Sequence, residues 1–379
     1  LPWYNFTGAQ VSIWSVVQNG SVVALTSADR TALNNYHYAN SNMDGIGTYY
    51  DDIRSYISNG GAGIDCASLP PVSVGSYQTV LFYQPLVGTP KSTPVTLHKA
   101  VNERCAANIA GNGHYSLAGT EFTIYTDTAC TTVAKYYDDS DNEHNAVLTC
   151  DENGNFPSIK MNPGTYYVKE TKVSKGFVMD NNPRELSVSV GGENSVTIEN
   201  VPTGDPLSIR LTKKNAKVET PIADAIFRLS YYNGGTEGTD YEKDNLPTSA
   251  TRVWYFKTNA NGLANFRNDV SYNGDGFTSD AFYIDQDGNR TYNDGTYTIE
   301  EVYAPNDYKL EGDMSLLNGD TVVDSAEVAS GKLLFYVKSI GDAESGYISE
   351  VVDANGASAT NLAIGIDEEP KLFGFTIHK

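Results

Sequence analysis

Residues 164–177 have the sequence GTYYVKETKVSKGF, and residues 295–308 repeat its pattern as GTYTIEEVYAPNDY. Both stretches begin with Gly-Thr-Tyr and alternate apolar with polar residues, a period of two that predicts a β-strand. Each also carries a Glu among apolar neighbours, Glu170 in the first copy and Glu301 in the second. Because a carboxylate is costly to bury without a partner, the sequence predicts a repeated β-module built around a buried, partnered acid.

The composition limits the class of protein. A length of 379 residues predicts two or three domains, and a net charge of −21 disfavours binding to nucleic acid or to anionic membranes. Hydrophobic residues make up 40% of the sequence and include 26 Tyr and 13 Phe, enough for packed cores. No apolar run is long enough to span a membrane. We therefore expect folded, Tyr-rich β-domains.

From residue 94 onward the sequence is a succession of short β-strand patterns separated by turns. About seven such strands in roughly 110 residues are typical of an immunoglobulin-like sandwich, so residues 94–203 are predicted to form one. The order of segments then restarts, and residues 205–371 are predicted to form a second, larger sandwich. Residues 372–379 resemble a first strand once more, so we expect a tandem array within a longer protein.

Residues 1–90 differ from the rest, because their apolar spacing favours a few helices and a single strand at 77–83. The Pro-containing stretch 89–94 is predicted to be a linker. These elements are too few for an independent core, so residues 1–90 are expected to be the C-terminal part of a small, partly helical domain. The predicted fold class is mainly β, with tandem immunoglobulin-like sandwiches after this portion.

Each copy of the module carries a Lys on its first strand, a Glu on a middle strand and a carboxamide or carboxyl group on its last strand. Burial moves a Lys toward its neutral, nucleophilic amine and a Glu toward its protonated form. A protonated Glu can polarise a carbonyl and transfer protons, so that the amine attacks and ammonia or water leaves. The product is an isopeptide bond. The candidate residues are Lys99, Glu170 and Asn200 in the first copy, and Lys213, Glu301 and Asp367 in the second.

An isolated set of this kind is more simply explained as an ion pair or an exposed Lys, but its repetition in matched positions favours the cross-link. A covalent tie between terminal strands prevents a domain from unravelling when it is pulled from its ends. The chain-entropy model gives roughly 4–5 kcal/mol for a cross-link that closes ~100 residues.

The motifs LHKAV, SLAGTEFTIY, GTYYVKETKVSKGF and VTIENVP resemble those of the Cna B-type, SpaA-like domains of Gram-positive pilins and adhesins. The resemblance covers residues 94–371 and is strongest in the first copy. It implies the reactive and catalytic roles given above for the two sets of residues. It also implies a structural or adhesive protein of the bacterial cell wall, either a pilus subunit or a segment of a sortase-anchored adhesin, which is not an enzyme and needs no cofactor. The implied partners are a host surface protein or glycan and other pilin subunits joined by sortase.

The second copy departs from this pattern near its end. Its closing sequence IDEEP places Glu368 at the position of Asn200, with Asp367 one residue earlier. A shift of one residue faces the opposite side of a strand unless a bulge intervenes. Asp367 remains the expected partner of Lys213. The competing lysines are Lys214 and Lys217.

Residues 7–14, TGAQVSIW, are similar to the Thr-Gln-x-Ala-Ile-Trp motif of bacterial thioester domains, with Ala9 in place of the Thr. In that family the Gln condenses with a Cys to form an internal thioester that captures amines on a host surface, so Gln10 would be the acyl donor. The family's Cys lies upstream of the Gln, whereas Cys66 lies downstream and is not assigned. Three alternatives stay open: a thiol before residue 1, a thioester-like domain without the bond, or Gln10 as an ordinary helix residue.

The four Cys residues lack metal-type spacing and fit one or two disulfides or free thiols. Cys105 and Cys150 are expected near the same end of the first sandwich, so we predict a disulfide between them and an extracytoplasmic location. The five His residues also lack ligand spacing. Residues 138–142 and 285–288 resemble calcium loops without the terminal Glu, so solvated loops and no metal are predicted.

Two other functions compete with the cross-linked surface protein. A non-covalent binding module on a β-sandwich stalk would recognise a carbohydrate or a host protein with its Tyr-rich loops. A secreted hydrolase with accessory sandwiches is the third option, but the sequence contains no catalytic constellation that supports it.

Overall fold

The computed structural model of the chain describes residues 92–359 and 362–372, and four short strands before them. The four strands are β1 (Cys66–Ser68), β2 (Val72–Ser73), β3 (Thr79–Val80) and β4 (Tyr83–Pro85). β1 pairs with β4 and β2 with β3, both antiparallel. The remaining predictions for residues 1–90, including Gln10, and those for 373–379 lie outside the described residues.

The chain has two compact units. One takes in residues 96–159, 165–186 and the described residues from 195 onward, and the other takes in 160–164, 187–194 and the described residues up to 95. The triads described below lie wholly in the first of these units.

The first half of the described chain forms two sheets. Its elements are β5 (Thr93–Val101), α1 (Glu103–Ile109), β6 (Glu121–Tyr125), β7 (Lys135–Tyr137), β8 (Glu143–Asn145), β9 (Val147–Thr149), β10 (Ile159–Met161), β11 (Gly164–Lys172), β12 (Arg184–Val188) and β13 (Ser195–Asn200). The strand orders in the two sheets are β13-β5-β10-β7-β8 and β12-β11-β6-β9. β13 is the last of these strands in the sequence, and it pairs in parallel with β5, the first.

The second half of the described chain repeats this two-sheet plan. Its strands are β14 (Arg210–Asn215), β15 (Ile226–Tyr232), β16 (Arg252–Lys257), β17 (Leu263–Asn265), β18 (Tyr283–Ile284), β19 (Arg290–Thr291), β20 (Gly295–Tyr303), β21 (Tyr308–Asn318), β22 (Thr321–Glu327), β23 (Leu333–Asp342), β24 (Gly346–Asp353) and β25 (Leu362–Pro370). The strand orders are β17-β14-β25-β21-β22 and β16-β15-β20-β23-β24, and β18-β19 is an added hairpin. The last strand, β25, again pairs in parallel with the first, β14. Two 3₁₀ turns lie at Gly235–Glu237 and Lys243–Asn245.

The two-residue period of the strands builds the cores. The inner face of β5 carries the buried side chains of Val95, Leu97 and Lys99, whereas Thr96, between the first two, is exposed. A Lys therefore shares the inner face with apolar residues. Burying each Val or Leu side chain stabilises the fold by about 1.5–3 kcal/mol. The second core is larger and rich in aromatic rings, with Trp254 packed against Tyr292 at 5.4 Å between ring centroids. The prediction of a mainly β fold is confirmed.

The cysteines contradict the sequence prediction. Within the part of the chain that the structure describes, Cys105, Cys130 and Cys150 are free thiols, so the predicted Cys105–Cys150 disulfide is wrong. Cys105 lies on α1, whereas the Cys150 thiol donates to the Leu117 carbonyl at 2.9 Å. Burial raises the pKa of the Cys105 and Cys150 thiols, which favours the protonated, unreactive form. Within the described residues, no helix is both long and apolar enough to cross a bilayer.

Candidate functional site

Lys99, Glu170 and Asn200 lie together in the core of the first sandwich and form what we call the first triad. Lys99 is on β5 and Asn200 is on the parallel neighbour β13, while Glu170 comes from β11 in the other sheet. Ile198 is the register partner of Lys99, so Asn200, two residues later, faces the same side of the sheet. The three residues are only 0%, 1% and 2% exposed, so water is excluded from the group.

Glu170 contacts both of the other members. Its Oε1 lies 2.8 Å from Lys99 Nζ, and Asn200 Nδ2 donates to Oε1 at 2.8 Å and to Oε2 at 3.1 Å. The backbone N–H of Asp180 donates to Oε2 at 2.8 Å. Among the described residues, Asn200 Oδ1 is buried without a hydrogen-bond partner. Buried carbonyl oxygens are nearly always paired, so this amide has an unused acceptor inside the core.

The surroundings of Lys99 favour its uncharged form. Burial lowers the pKa of the Lys99 ammonium, and the nearby Glu170 carboxyl offsets this only in part. Lys99 Nζ lies 5.2 Å from the centroid of the Phe122 ring, an apolar wall on one side of the group. The lowered pKa increases the fraction of neutral amine, which is the nucleophilic species.

Lys213, Glu301 and Glu368 form the second triad, at the equivalent place in the second sandwich. Lys213 is on β14, Glu368 on the parallel strand β25, and Glu301 on β20 of the other sheet. Lys213 Nζ donates to Glu301 Oε2 at 2.6 Å and lies 2.9 Å from Glu368 Oε2. The three residues are 0%, 4% and 0% exposed, so this group is also shielded from water.

The strand register explains why Glu368, and not Asp367, meets Lys213. β14 and β25 pair in the same relative register as β5 and β13, without a bulge, so the residue equivalent to Asn200 is Glu368. Asp367 lies on the opposite face, where its side chain is 53% exposed and 3.8 Å from Lys214 Nζ. Glu368 therefore takes the place predicted for Asp367. The competing lysines, Lys214 and Lys217, both form ion pairs at the surface.

Two carboxyl groups share one ammonium in the second triad. Burial raises the pKa of Glu301 to about 8, with Lys213 opposing the rise and Glu368 adding to it. Burial also raises the pKa of Glu368. Since two carboxylates this close cannot both ionise readily, the pair retains one proton at neutral pH. The second triad then holds one ammonium, one carboxylate and one carboxylic acid, and is neutral overall.

Sequence reasoning missed the aromatic ring beside each Lys. Phe122 pairs with Glu170 across β6 and β11, and Phe227 pairs with Glu301 across β15 and β20. The Phe227 centroid lies 5.7 Å from Lys213 Nζ, which is close to the distance in the first triad. The available signal was a Phe on the matched second strand of each copy.

Other predicted sites have no counterpart in the described residues or lie outside them. Gln10 and the side chain of Cys66 are outside the described part of the chain. In the part that is described, no group of three or more His, Cys, Asp or Glu side chains could hold a metal ion. Residues 285–288, which resemble a calcium loop in sequence, form the turn between β18 and β19.

The family comparison concerns the first sandwich. Residues 108–202 match the family model described as the SpaA prealbumin-like fold domain. The matched stretch includes Glu170 and Asn200 and begins after Lys99. The resemblance of this part of the chain to SpaA-like domains is therefore confirmed. Comparison with curated proteins gives no significant match.

Several solved structures are similar to the chain. The Bacillus anthracis TIE protein is 14% identical over 77% of this chain and 55% of its own, with a TM-score of 0.32. The C-terminal fragment of the pilus adhesin SpaC from Lactobacillus rhamnosus GG is 10% identical over 76% of this chain and 100% of its own, with a TM-score of 0.37. A streptococcal ancillary pilin is 12% identical over 92% of this chain and 89% of its own, with a TM-score of 0.24. The chain spans just over half the length of the TIE protein.

Proposed function

We propose that this chain is a load-bearing segment of a Gram-positive cell-surface protein, a pilus subunit or a sortase-anchored adhesin, whose sandwiches are closed by autocatalytic isopeptide bonds. The observation that carries the proposal is the first triad, in which an amine, a carboxyl and an amide are in contact and shielded from water. The amine and the amide belong to the first and last strands of the sandwich. Each triad reacts once and consumes its own side chains, so the protein is not a turnover enzyme.

The first bond forms with loss of ammonia. Lys99 transfers a proton to the Glu170 carboxylate across their 2.8 Å contact, and the neutral amine attacks Cγ of Asn200. When the amide is turned so that its unpaired Oδ1 faces Glu170, the protonated carboxyl donates to this oxygen and stabilises its developing negative charge. Glu170 then passes a proton from the attacking nitrogen to the departing one. Ammonia leaves, and Glu170 remains as a neutral acid.

The second bond forms with loss of water. Proton transfer from Lys213 converts the single carboxylate of the triad to an acid, and the amine attacks Cδ of Glu368 across the 2.9 Å contact between the two side chains. Glu301, whose pKa is raised to about 8 by burial, is protonated at neutral pH and donates to the forming oxyanion. It then shuttles a proton to the departing hydroxyl, so that water leaves and Glu301 remains neutral.

The position of the first bond supports a mechanical role. β5 and β13 are parallel neighbours, so tension applied through residues 93 and 200 pulls them in shear. A bond between Lys99 and Asn200 carries that tension directly from one strand to the other, and the residues between them bear none of it. The chain-entropy model gives roughly 4–5 kcal/mol of added stability for closing ~100 residues.

The charge of the chain supports a surface location. A net charge of −21 keeps the segment soluble and repels anionic membranes. The proposed partners are a host surface protein or glycan, and other pilin subunits joined by sortase. These partners and the extracellular location rest on the resemblance to SpaA-like domains.

Intact mass after complete denaturation tests the proposal. We expect the wild-type chain to be lighter than its sequence by one ammonia and one water, with the linked peptides joining Lys99 to Asn200 and Lys213 to Glu368. Glu170→Ala should retain the ammonia and still lose the water. The matched control is Glu199→Gln, which changes the exposed neighbour of Asn200 on β13 and should behave as wild type. An unmodified wild-type mass would reject the proposal.

A further inference from the structure

A five-residue turn with Gly at its fourth position occurs at residues 151–155, 259–263, 285–289 and 353–357 with the same hydrogen bonds each time. Residues 138–142 form the same turn with Asp141 at the fourth position. The side chain of its first residue, an Asp or an Asn, accepts hydrogen bonds from the backbone N–H groups of the third and fifth residues. Its fourth residue is a Gly with φ between +65° and +86°, a conformation that costs Gly little. The four turns are therefore equivalent in backbone geometry and differ in what they contact.

Two of these turns pack directly against the reactive lysines. The N–H of Lys99 donates to the Gly154 carbonyl at 2.8 Å, and the N–H of Lys213 donates to the Gly262 carbonyl at 2.8 Å. A Cβ added to Gly154 would lie 1.9 Å from the Lys99 carbonyl oxygen, and a Cβ added to Gly262 would lie 2.3 Å from that of Lys213. Both glycines are thus required for the close approach of the turn to the lysine backbone.

The turns at 285–289 and 353–357 do not pack against the backbone of a reactive lysine. A Cβ added to Gly288 or Gly356 would meet no atom of the described residues within 4 Å. The hydrogen bonds within these turns are the same as in the turns at the lysines. The contact with a backbone atom of the reactive lysine is therefore specific to the turns at 151–155 and 259–263.

We propose that the turn at 151–155 positions Lys99 for formation of the first isopeptide bond, and that the turn at 259–263 positions Lys213 for the second; this inference rests on the proposed function. β5 is held on one side by β13, which carries Asn200, and the Gly154 carbonyl holds the Lys99 backbone. With its backbone fixed, the amine approaches the amide carbon from a defined starting point. A misplacement of about 1 Å in such an alignment can slow a reaction by roughly 100-fold.

The first residue of the turn acts through hydrogen bonding and needs no charge. Asp151 and Asn259 occupy this position in the two turns at the lysines, and each accepts through Oδ1. Asn should therefore replace Asp151 without loss, whereas Ala should release the turn. Neither Asp151 nor Gly154 touches the reacting atoms, so both are positioning residues.

The test compares bond formation with folding in the full chain. Chains from cell-free synthesis are collected in urea before they cross-link and are refolded by dilution, and samples are quenched at intervals. Intact mass gives the fraction that has lost ammonia, and resistance to a protease pulse gives the fraction folded. We expect Gly154→Ala to slow the loss of ammonia from folded chains by roughly 10- to 100-fold. Its control, Gly288→Ala, introduces a similar backbone strain and should leave that rate at the wild-type value.

A second pair of variants covers the case in which Gly154→Ala does not fold. Asp151→Ala should slow the loss of ammonia from folded chains, and Asp151→Asn should restore the wild-type rate. Neither substitution should alter the pH dependence of ammonia loss, because Asp151 does not exchange protons with Lys99. Folded Asp151→Ala chains that lose ammonia at the wild-type rate would overturn the inference while leaving the proposed function intact. A wild-type chain that never loses ammonia would instead reject the proposed function.

Discussion

The first and second triads hold their lysines on equivalent strands, beside equivalent phenylalanines and against equivalent glutamates. They differ in the third group, which is the amide of Asn200 in one and the carboxyl of Glu368 in the other. The amide adds no charge, so the first triad contains one acid and one base. The carboxyl adds a second acid, so the second triad must retain a proton in order to stay neutral. The same scaffold therefore offers two leaving groups with different proton requirements.

The choice of amide or carboxyl also determines which buried polar atoms of each triad lack a hydrogen-bond partner among the described residues before the bond forms. In the first triad the unpaired buried atoms include the carbonyl oxygen of Asn200, the atom on which negative charge develops during attack. In the second triad they include carboxyl oxygens of Glu301 and Glu368. An unpaired buried polar group destabilises a fold by about 1–3 kcal/mol, so both triads gain from reaction. Amide formation removes the ammonium and the electrophilic group together.

The largest expected effect comes from disabling one triad while the other remains intact. Glu170→Gln keeps the shape of the side chain but cannot accept the proton of Lys99, so we expect no loss of ammonia and a normal loss of water. Without its cross-link, the first sandwich should lose roughly 4–5 kcal/mol of stability, the value for closing ~100 residues. Guanidinium unfolding followed by protease resistance of each sandwich measures this loss. A first sandwich as stable as in the wild type would show that the bond adds no stability.

The second prediction concerns pH. The folded-state pKa of Glu301 is raised from 4.5 to about 8 by burial, so before cross-linking the stability that this group contributes is fully present below about pH 4.5 and is lost as the pH rises from there to about 8. The acid form of Glu301 that assists loss of water declines above that folded-state pKa, by about tenfold per pH unit. We expect the rate of water loss to fall above pH 8, relative to ammonia loss from the same chain.

Refolding from urea at a series of pH values, with intact mass at each time point, measures the two rates in one sample. The first triad serves as the internal reference for refolding and quenching, because its acid–base groups are Lys99 and Glu170 and its reaction does not involve Glu301. A constant ratio of the two rates on either side of pH 8 would contradict the role assigned to Glu301.

A third prediction exchanges the leaving group without changing the product. Glu368→Gln presents an amide to Lys213, so the second bond should form with loss of ammonia. The cross-linked variant and the cross-linked wild type then contain the same atoms, and we expect identical intact masses and equal stabilities. Uncross-linked chains differ in mass because an amide has replaced a carboxyl group. High-resolution mass spectrometry separates these outcomes, and a variant that keeps the mass of its own sequence would show that the site does not react.

Much of this arrangement follows from the sequence because it depends on local pattern. The two-residue period of the segment that carries Glu170 requires a strand, and a Glu on its inner face requires a partner. Lys99 and Asn200 were predicted as partners from their places on the first and last strands, and the structure brings both into contact with Glu170. Matching the two copies then located Lys213 and Glu301.

The features that the sequence does not predict depend mainly on contacts between segments that are distant in the chain. The pattern Asp151-Glu-Asn-Gly154 predicts a turn, but the sequence does not reveal that this turn lies against Lys99 while the similar turn at 285–289 lies elsewhere. Helix α1 was missed because seven residues are too few to display a helical period. Strands β21 to β24 were not predicted, although Asn318-Gly319 between β21 and β22 is a common hairpin signal.

The smallest expected effect tests the register of β25. Asp367 and Glu368 are adjacent acids, and only the register of the strand decides which one meets Lys213. Asp367→Asn removes an exposed carboxylate whose nearest cation, Lys214, is 3.8 Å away. Such surface pairs contribute about 0–1 kcal/mol, so we expect both mass losses to persist and the stability to change by less than about 0.5 kcal/mol. If Asp367→Asn instead replaced the loss of water with a second loss of ammonia, Asp367 would be the acyl donor, and β25 would have to shift by one residue in solution to place it beside Lys213.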